Sequence, residues 1–243
     1  GDPRPGVGVI EGNGLHLPDI AWGETVPAGR YEIGGDKEAY QSKRSKVTIA
    51  RPFQLARYPI TFVQFDCFTS APDFADARWW AGMPAVEEAY GTRYALRELS
   101  EQAFPFANHP RERVSWYQAV AFCRWLSDKL GYTVELPHEH EWETAARYPD
   151  GRFDPWGNTF DPAKANTGEG GIGRTSAAGI FPQGANPALG LFDLSGNVWE
   201  WCRNKYDAPD DDAVDGSGAR RVVRGGSWNN FQHDARAAWR FSS

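Results

Sequence analysis

The chain has 243 residues, long for one domain and short for two, and its 11 Trp, 14 Phe and 9 Tyr can fill one large core. A net charge of −6 with scattered Lys and Arg gives no electrostatic reason to expect nucleic acid. No apolar run approaches the ~18–20 residues that span a bilayer, and Gly1 does not open a signal peptide, which favours a cytoplasmic setting.

Residues 1–24 are rich in Gly and Pro without a clear period and read as an N-terminal extension on the surface. A single domain over 25–243 is expected to follow. Val26–Gly35 alternates and stops at Gly34-Gly35, as a strand and turn do. Lys46–Ala50 and Phe53–Ala56 are strand-like, and Arg51-Pro52 keeps them apart. Thr61 suits an N-cap, with Phe62, Phe65 and Phe68 at helical spacing until Ser70-Ala71-Pro72. Residues 73–108 are aromatic and irregular, an insertion over the core with a short helix around Val86–Glu101.

Ser115 caps a second helix whose buried stripe is Trp116, Ala119, Val120, Cys123, Leu126 and Leu130, and Gly131 ends it. Thr133–Leu136 reads as a short strand and Glu139–Arg147 as a third helix. His138 and Glu141 have the spacing of a capping box, although His is a poor N-cap. His138 and His140, two apart, are expected on different helix faces, one at the surface and one partly packed, so they make no metal pair. Residues 148–190 are nearly all turns, which requires bound ions or a fold that specialises in long loops. Gly190–Trp228 then reads as a rigid frame: a turn at Asp193–Asn197, a tryptophan-rich run, an acidic loop (Asp207, Asp210, Asp211, Asp212, Asp215) expected to be solvated, and RVVRGGSW. After Trp228 the chain is polar and aromatic with little core-like periodicity. Cys67, Cys123 and Cys202 are odd in number, widely spaced and without a CxxC, so neither a disulfide framework nor zinc is expected, and Cys67 and Cys123, in helix-like apolar patterns, are expected to be buried free thiols.

Five ordered stretches, YPITFVQFDCF, HPRERVSWYQAVAFCRWLS, LPHEHEWETAAR, GLFDLSGNVWEW and RVVRGGSW, resemble the formylglycine-generating enzyme or sulfatase-modifying factor superfamily over about residues 25–240. The resemblance implies an α+β, C-type-lectin-like fold: loop-rich, with few short strands and two to three helices. It implies copper held by two cysteines in catalytic members, but those positions map onto Asn230 and Ala235, which supply no soft thiolate for Cu(I). No copper and no catalytic residue are therefore expected.

The chain is most similar to the variable proteins of diversity-generating retroelements, whose segment after GGSW is diversified at adenines. Asn codons altered at their adenines give the residue types found at Phe231, His233, Asp234, Phe241, Ser242 and Ser243; Trp239 would need an Arg codon instead. This resemblance implies a non-catalytic ligand-binding protein with a variable segment at 229–243. The expected contact set is Asn230, Phe231, His233, Asp234, Trp239, Phe241, Ser242 and Trp199. Trp239 and Trp199 can equally be core. The alternatives are an oxidase of the sulfatase-modifying type or a fixed-partner interaction domain. The resemblance also implies a structural Ca²⁺ held by the carboxylates of Asp193 and Glu200 and the carbonyls of Gly196 and Val198. A further calcium site would start at Asn166 and Thr167 but lacks an acidic ligand downstream. The expected partner is a protein or other macromolecule bound by a monomer, with no nucleic acid and no membrane span.

Overall fold

The computed structural model describes residues 2–12, 14–40, 42–89 and 92–243. In chain order it contains the hairpin β1 (Val9–Gly12) and β2 (Leu15–Pro18), the hairpin β3 (Gly29–Ile33) and β4 (Ser45–Ile49), and helix α1 (Phe62–Thr69). A third hairpin, β5 (Val86–Ala89) and β6 (Thr92–Ala95), precedes α2 (Trp116–Leu130) and α3 (Glu139–Ala146). The chain closes with β7 (Glu200–Lys205), β8 (Arg221–Arg224) and β9 (Phe241–Ser242), an antiparallel sheet in the order β7-β8-β9. This is the loop-rich α+β architecture expected. No described helix is long and apolar enough to cross a membrane.

Each helix starts with the same device. Thr61, Ser115 and His138 accept from backbone N–H groups of the first turn, while Gln64, Gln118 and Glu141 reach back to the cap's own N–H. The glutamines do more than a glutamate could, because their amides also donate. Gln64 Nε2 donates to Gly6 O and Asp19 O, and Gln118 Nε2 to Leu96 O and Glu98 O. Local caps are thereby tied to distant backbone. Residues 2–22, expected to lie on the surface, are tied in by this contact: Val7 is fully buried and its carbonyl accepts from Thr61 Oγ1.

His138 overturns the expectation that it caps poorly. Its Nδ1 accepts from His140 N–H at 3.1 Å, so Nε2 carries the proton it donates to Pro209 O at 2.9 Å. The two imidazoles lie 4.5 Å apart, because a capping residue sits off the helix and the face rule does not apply to it. Both nitrogens of His138 are used within the protein.

Four further expectations are corrected. Val86–Glu101 holds the β5–β6 hairpin rather than a helix, with Val86 opposite Ala95 and Glu87 opposite Tyr94. Thr133–Leu136 forms no strand; Val134 instead exchanges hydrogen bonds with Ser127 Oγ. Helix α2 is buried on more than one stripe, including Tyr117, Phe122 and Trp125, while Ala119, Val120 and Leu130 are half-buried. Strand β7 and the acidic loop cover its other side: Trp116 Nε1 donates to Cys202 O and Tyr117 OH to Asp215 O. In the acidic loop, Asp211 and Asp215 hold Lys205 at 2.7 and 2.8 Å, so that loop is more than solvated.

The core has two clusters. One joins α1 and α2 through stacked and edge-on rings, Phe65, Phe68, Trp80, Phe122 and Trp125. The other gathers Val26, Trp142, Leu189, Leu191, Leu194 and Val222 around α3 and the final sheet. The long stretch 148–190 keeps its backbone bonded through buried asparagines. Asn186, fully buried, donates to Ala145 O and Tyr148 O and accepts from Ala188 N–H and Leu189 N–H. Asn197 exchanges bonds with both backbone groups of Ser176. These amides take the place of a ladder.

Candidate ligand-binding face

All four residues of β8 are buried, and Gly225 and Gly226 then turn the chain with φ of +91° and +73°. Both glycines are favoured by their positive φ, and the space beside each is tight. A Cβ on Gly226 would sit 3.0 Å from Ala235 Cα, and one on Gly225 3.3 Å from the Trp142 ring. The turn is clamped by Gly196 N–H to Gly225 O, Trp228 N–H to Asn197 O, and Ser195 Oγ to Ala235 O. The expected frame is therefore physical: the Asp193–Asn197 turn grips both sides of the GGSW turn.

The segment it presents divides in two. In the first part, Gly168 N–H donates to Asn230 O at 2.7 Å, and Gln232 N–H to Glu169 Oε1 at 2.7 Å. Asn230 accepts from Ser227 Oγ at 2.5 Å and donates to Asp234 at 3.3 Å. Those contacts hold the backbone and leave Phe231 56% exposed, with Asn229, Gln232 and His233 also exposed. Asp234 is half-buried, 3.6 Å from His233 Nε2.

The second part corrects the expectation of little core character. Ala235, Arg236, Ala237 and Ala238 are buried. Trp239 is half-buried, its ring 5.8 Å from both Tyr40 and His233. In β9 the face reopens: Phe241 is 52% exposed and lies against half-buried Trp199 at 5.6 Å. Ser242 is half-buried and accepts from Arg220 Nη1 at 3.3 Å.

Buried arginines fix this second part. Arg224, 2% exposed, donates to Glu139 at 3.1 Å and Glu143 at 3.0 Å, and through Nη1 to Ala237 O and Trp239 O. Arg240 makes a two-point contact with Glu139 at 2.8 Å. Burial raises the Glu139 carboxyl's pKa, but Arg224 and Arg240 outweigh it and hold the group below its ordinary value. Arg236 pairs with Asp36 and Glu38 and lies 3.8 Å from Asp154. Both Asp154 oxygens are buried without a hydrogen-bond partner, and burial pushes this carboxyl up to about 6. Sequence reading missed these arginines. The available signal was Glu139 and Glu143, one helical turn apart on α3, and two arginines flanking the apolar pair Val222-Val223.

A family model for the sulfatase-modifying factor enzyme 1-like domain matches residues 23–243. The chain belongs to this family. It is 30% identical over 290 residues to the inactive C-alpha-formylglycine-generating enzyme 2 of Bos taurus, covering 97% of this chain and 88% of that one. It is 28% identical over 265 residues to the formylglycine-generating enzyme of Thermomonospora curvata, covering 84% and 81%. Among solved structures, Treponema denticola variable protein 1 superposes with a TM-score of 0.65 at 21% identity, covering 97% and 92%. That likeness shows the fold, the C-type-lectin-like fold of the formylglycine-generating-enzyme type.

Within this sulfatase-modifying-factor frame, the expected calcium ligands make the following contacts. Asp193 accepts from Gly179 N–H at 2.6 Å, and Glu200 accepts from Trp142 Nε1 at 2.7 Å. Burial pushes the two carboxyls up to about 6 and about 7 respectively. Gly196 O accepts from Val198 N–H. Among the described residues no three His, Cys, Asp or Glu side chains converge on one point. A hard cation wants six to eight oxygens, so carbonyls and water would have to supply most of any such shell. Asn166 Oδ1, at the start of the other expected calcium site, is buried without a partner.

The three cysteines are buried and unpaired, Cys67 and Cys123 as expected. Burial pushes the thiols of Cys67 and Cys123 up to about 11 and about 12, and that of Cys202 further up. None of the three is poised as a thiolate.

Proposed function

We propose that the protein is a non-catalytic, ligand-binding member of its family that displays a diversified surface, as the variable proteins of diversity-generating retroelements do. The observation that carries this reading is the division of the segment after Trp228. Phe231, Gln232, His233 and Phe241 are exposed, whereas the chain between them is anchored by Arg224, Arg236 and Arg240. Exposed aromatic side chains on a fixed backbone give large contact area at low entropic cost. The positions that would carry copper thiolates in catalytic relatives are the hydrogen-bonded amide of Asn230 and the buried methyl of Ala235. The likeness to a structure named variable protein 1 and to a relative named inactive supports the same reading.

The test is genomic and biochemical. The DNA around the coding sequence should hold a near-identical copy of the segment for 229–243, differing at adenines, beside a reverse transcriptase gene. Purified protein should neither retain copper nor oxidise a thiol peptide. Absence of both genomic features, or copper-dependent oxidation of the peptide, overturns the reading.

A further inference from the structure

A cleft of about 430 Å³ lies between the β3–β4 hairpin and the turn that follows α3, and residues 229–234 take no part in it. Small-molecule sites run from about 300 to 1,000 Å³. Tyr31, Tyr148 and Phe153 give it aromatic walls, with the two tyrosine rings 6.4 Å apart. Arg30 and Arg44 line it from the hairpin, and Arg147 and Arg152 from the end of α3 and the turn. Against these four arginines stand two carboxylates, Glu32 and Asp150, in a chain whose net charge is −6.

The two arginines on the side of α3 are committed. Arg147, 6% exposed, spends four of its five N–H groups on Glu143, Gly34 O, Gly151 O and Arg152 O. Arg152 forks onto Asp150 at 2.7 and 2.9 Å and neutralises it. The two hairpin arginines are exposed and uncommitted. Arg30 makes no hydrogen bond or ion pair with the described residues, and Arg44 approaches Glu32 only at 3.9 Å. An exposed pair of that length is worth little. Thr144, 4% exposed, also lines the cleft, and its Oγ1 is buried without a partner. The last carbonyls of α3 would oppose an anion, but Asn186 Nδ2 donates to Ala145 O and Ala146 O and masks them.

We propose that this cleft binds a phosphate monoester of a small aromatic alcohol, with the phosphate between Arg30 and Arg44 and the ring along Tyr31, Tyr148 and Phe153. A phosphate brings several acceptor oxygens to two planar guanidinium groups that have N–H donors to spare. With Asp150 held by Arg152, Glu32 is the one opposing charge of the lining, and its exposure to water weakens its repulsion. The site goes beyond the proposed display face. Phe153 stands between the two: its ring faces Arg236 at 5.1 Å, and its carbonyl accepts from Ala237 N–H.

The test compares phenyl phosphate, inorganic phosphate, benzoate and benzyl alcohol on the whole protein by calorimetry at one fixed salt concentration. Phenyl phosphate should bind at least about tenfold tighter than each of the other three. Arg30→Gln should weaken phenyl phosphate about tenfold without changing Tm, because the side chain it removes is exposed and unpaired. Arg113→Gln removes an exposed charge outside the lining and should leave the affinity unchanged. No binding of phenyl phosphate, equal binding of benzoate or of inorganic phosphate, full affinity in Arg30→Gln, or an equal loss in Arg113→Gln overturns the proposal. None of these outcomes touches residues 229–234, so the display reading stands or falls separately.

Discussion

The stretch from Asn229 to Asp234 and the stretch from Ala235 to Arg240 adjoin in sequence and are held by opposite means. The first is held at its backbone, by Gly168 N–H on Asn230 O and by Glu169 on Gln232 N–H, and most of its side chains face solvent. The second is held by buried charge: Arg224 reaches its carbonyls, Arg236 reaches Asp36, and Arg240 reaches Glu139. A backbone tether tolerates nearly any side chain. A buried ion pair tolerates almost none, because removing one partner strands the other. The difference separates what can vary from what cannot.

Breaking the anchor should have the largest effect. Arg224→Met removes the shared partner of Glu139 and Glu143 and leaves two carbonyls without donors. A loss of about 3–5 kcal/mol is expected in urea unfolding; a loss below about 1 kcal/mol would mean that the anchor does not hold this segment. Asp154, at the edge of the same anchor, should act in the opposite direction. Its folded pKa, about 6, lies above the ordinary 3.8, so the native state holds the proton more tightly. Its contribution therefore falls as pH rises from about 4 to about 6 and then levels off. Asp154→Asn should match the parent near pH 4 and exceed it at pH 8 by up to about 3 kcal/mol. An unchanged slope of stability against pH would show that Asp154 is not the group concerned.

The hinge between frame and segment comes next. Gly226→Ala places a methyl against Ala235 at a φ that L residues rarely adopt. It should cost about 2 kcal/mol or more, read as a lowered Tm. A neutral result would mean that the backbone there can shift.

Local chemistry was the legible part of this fold. Thr61, Ser115 and Gly131 mark helix ends because a cap acts within one turn. The motifs that carry the family resemblance are dense with such local signals and with the tryptophans of the core. What escaped was non-local. Arg236 meets Asp36 across 200 residues of sequence, and no periodicity announces such a pair. The β5–β6 hairpin was misread because Val86–Ala95 mixes glutamates and alanines, which favour helix, with residues that favour strand. The candidate face was half-legible: Phe231, His233 and Phe241 were named in advance as members, whereas the burial of Ala235–Ala238 depends on contacts with Ser195, Phe153 and Arg224, which are distant in sequence.

The smallest effects should fall on the exposed side chains, and they sharpen the contrast most. Phe231→Ser and His233→Ser each remove an exposed group whose backbone is held by neighbours the substitution leaves in place. Each should change stability by no more than about 0.5 kcal/mol, while binding of whatever ligand is selected on this face should change several-fold. Phe241→Ser should cost slightly more, since it also loses the contact with Trp199 at 5.6 Å. Equal losses of stability across Phe231, His233 and Arg224 would erase the distinction between tether and anchor. A steep gradient, with Arg224 at one end and His233 at the other, is what a scaffold must have if one short stretch is free to change without unfolding the rest.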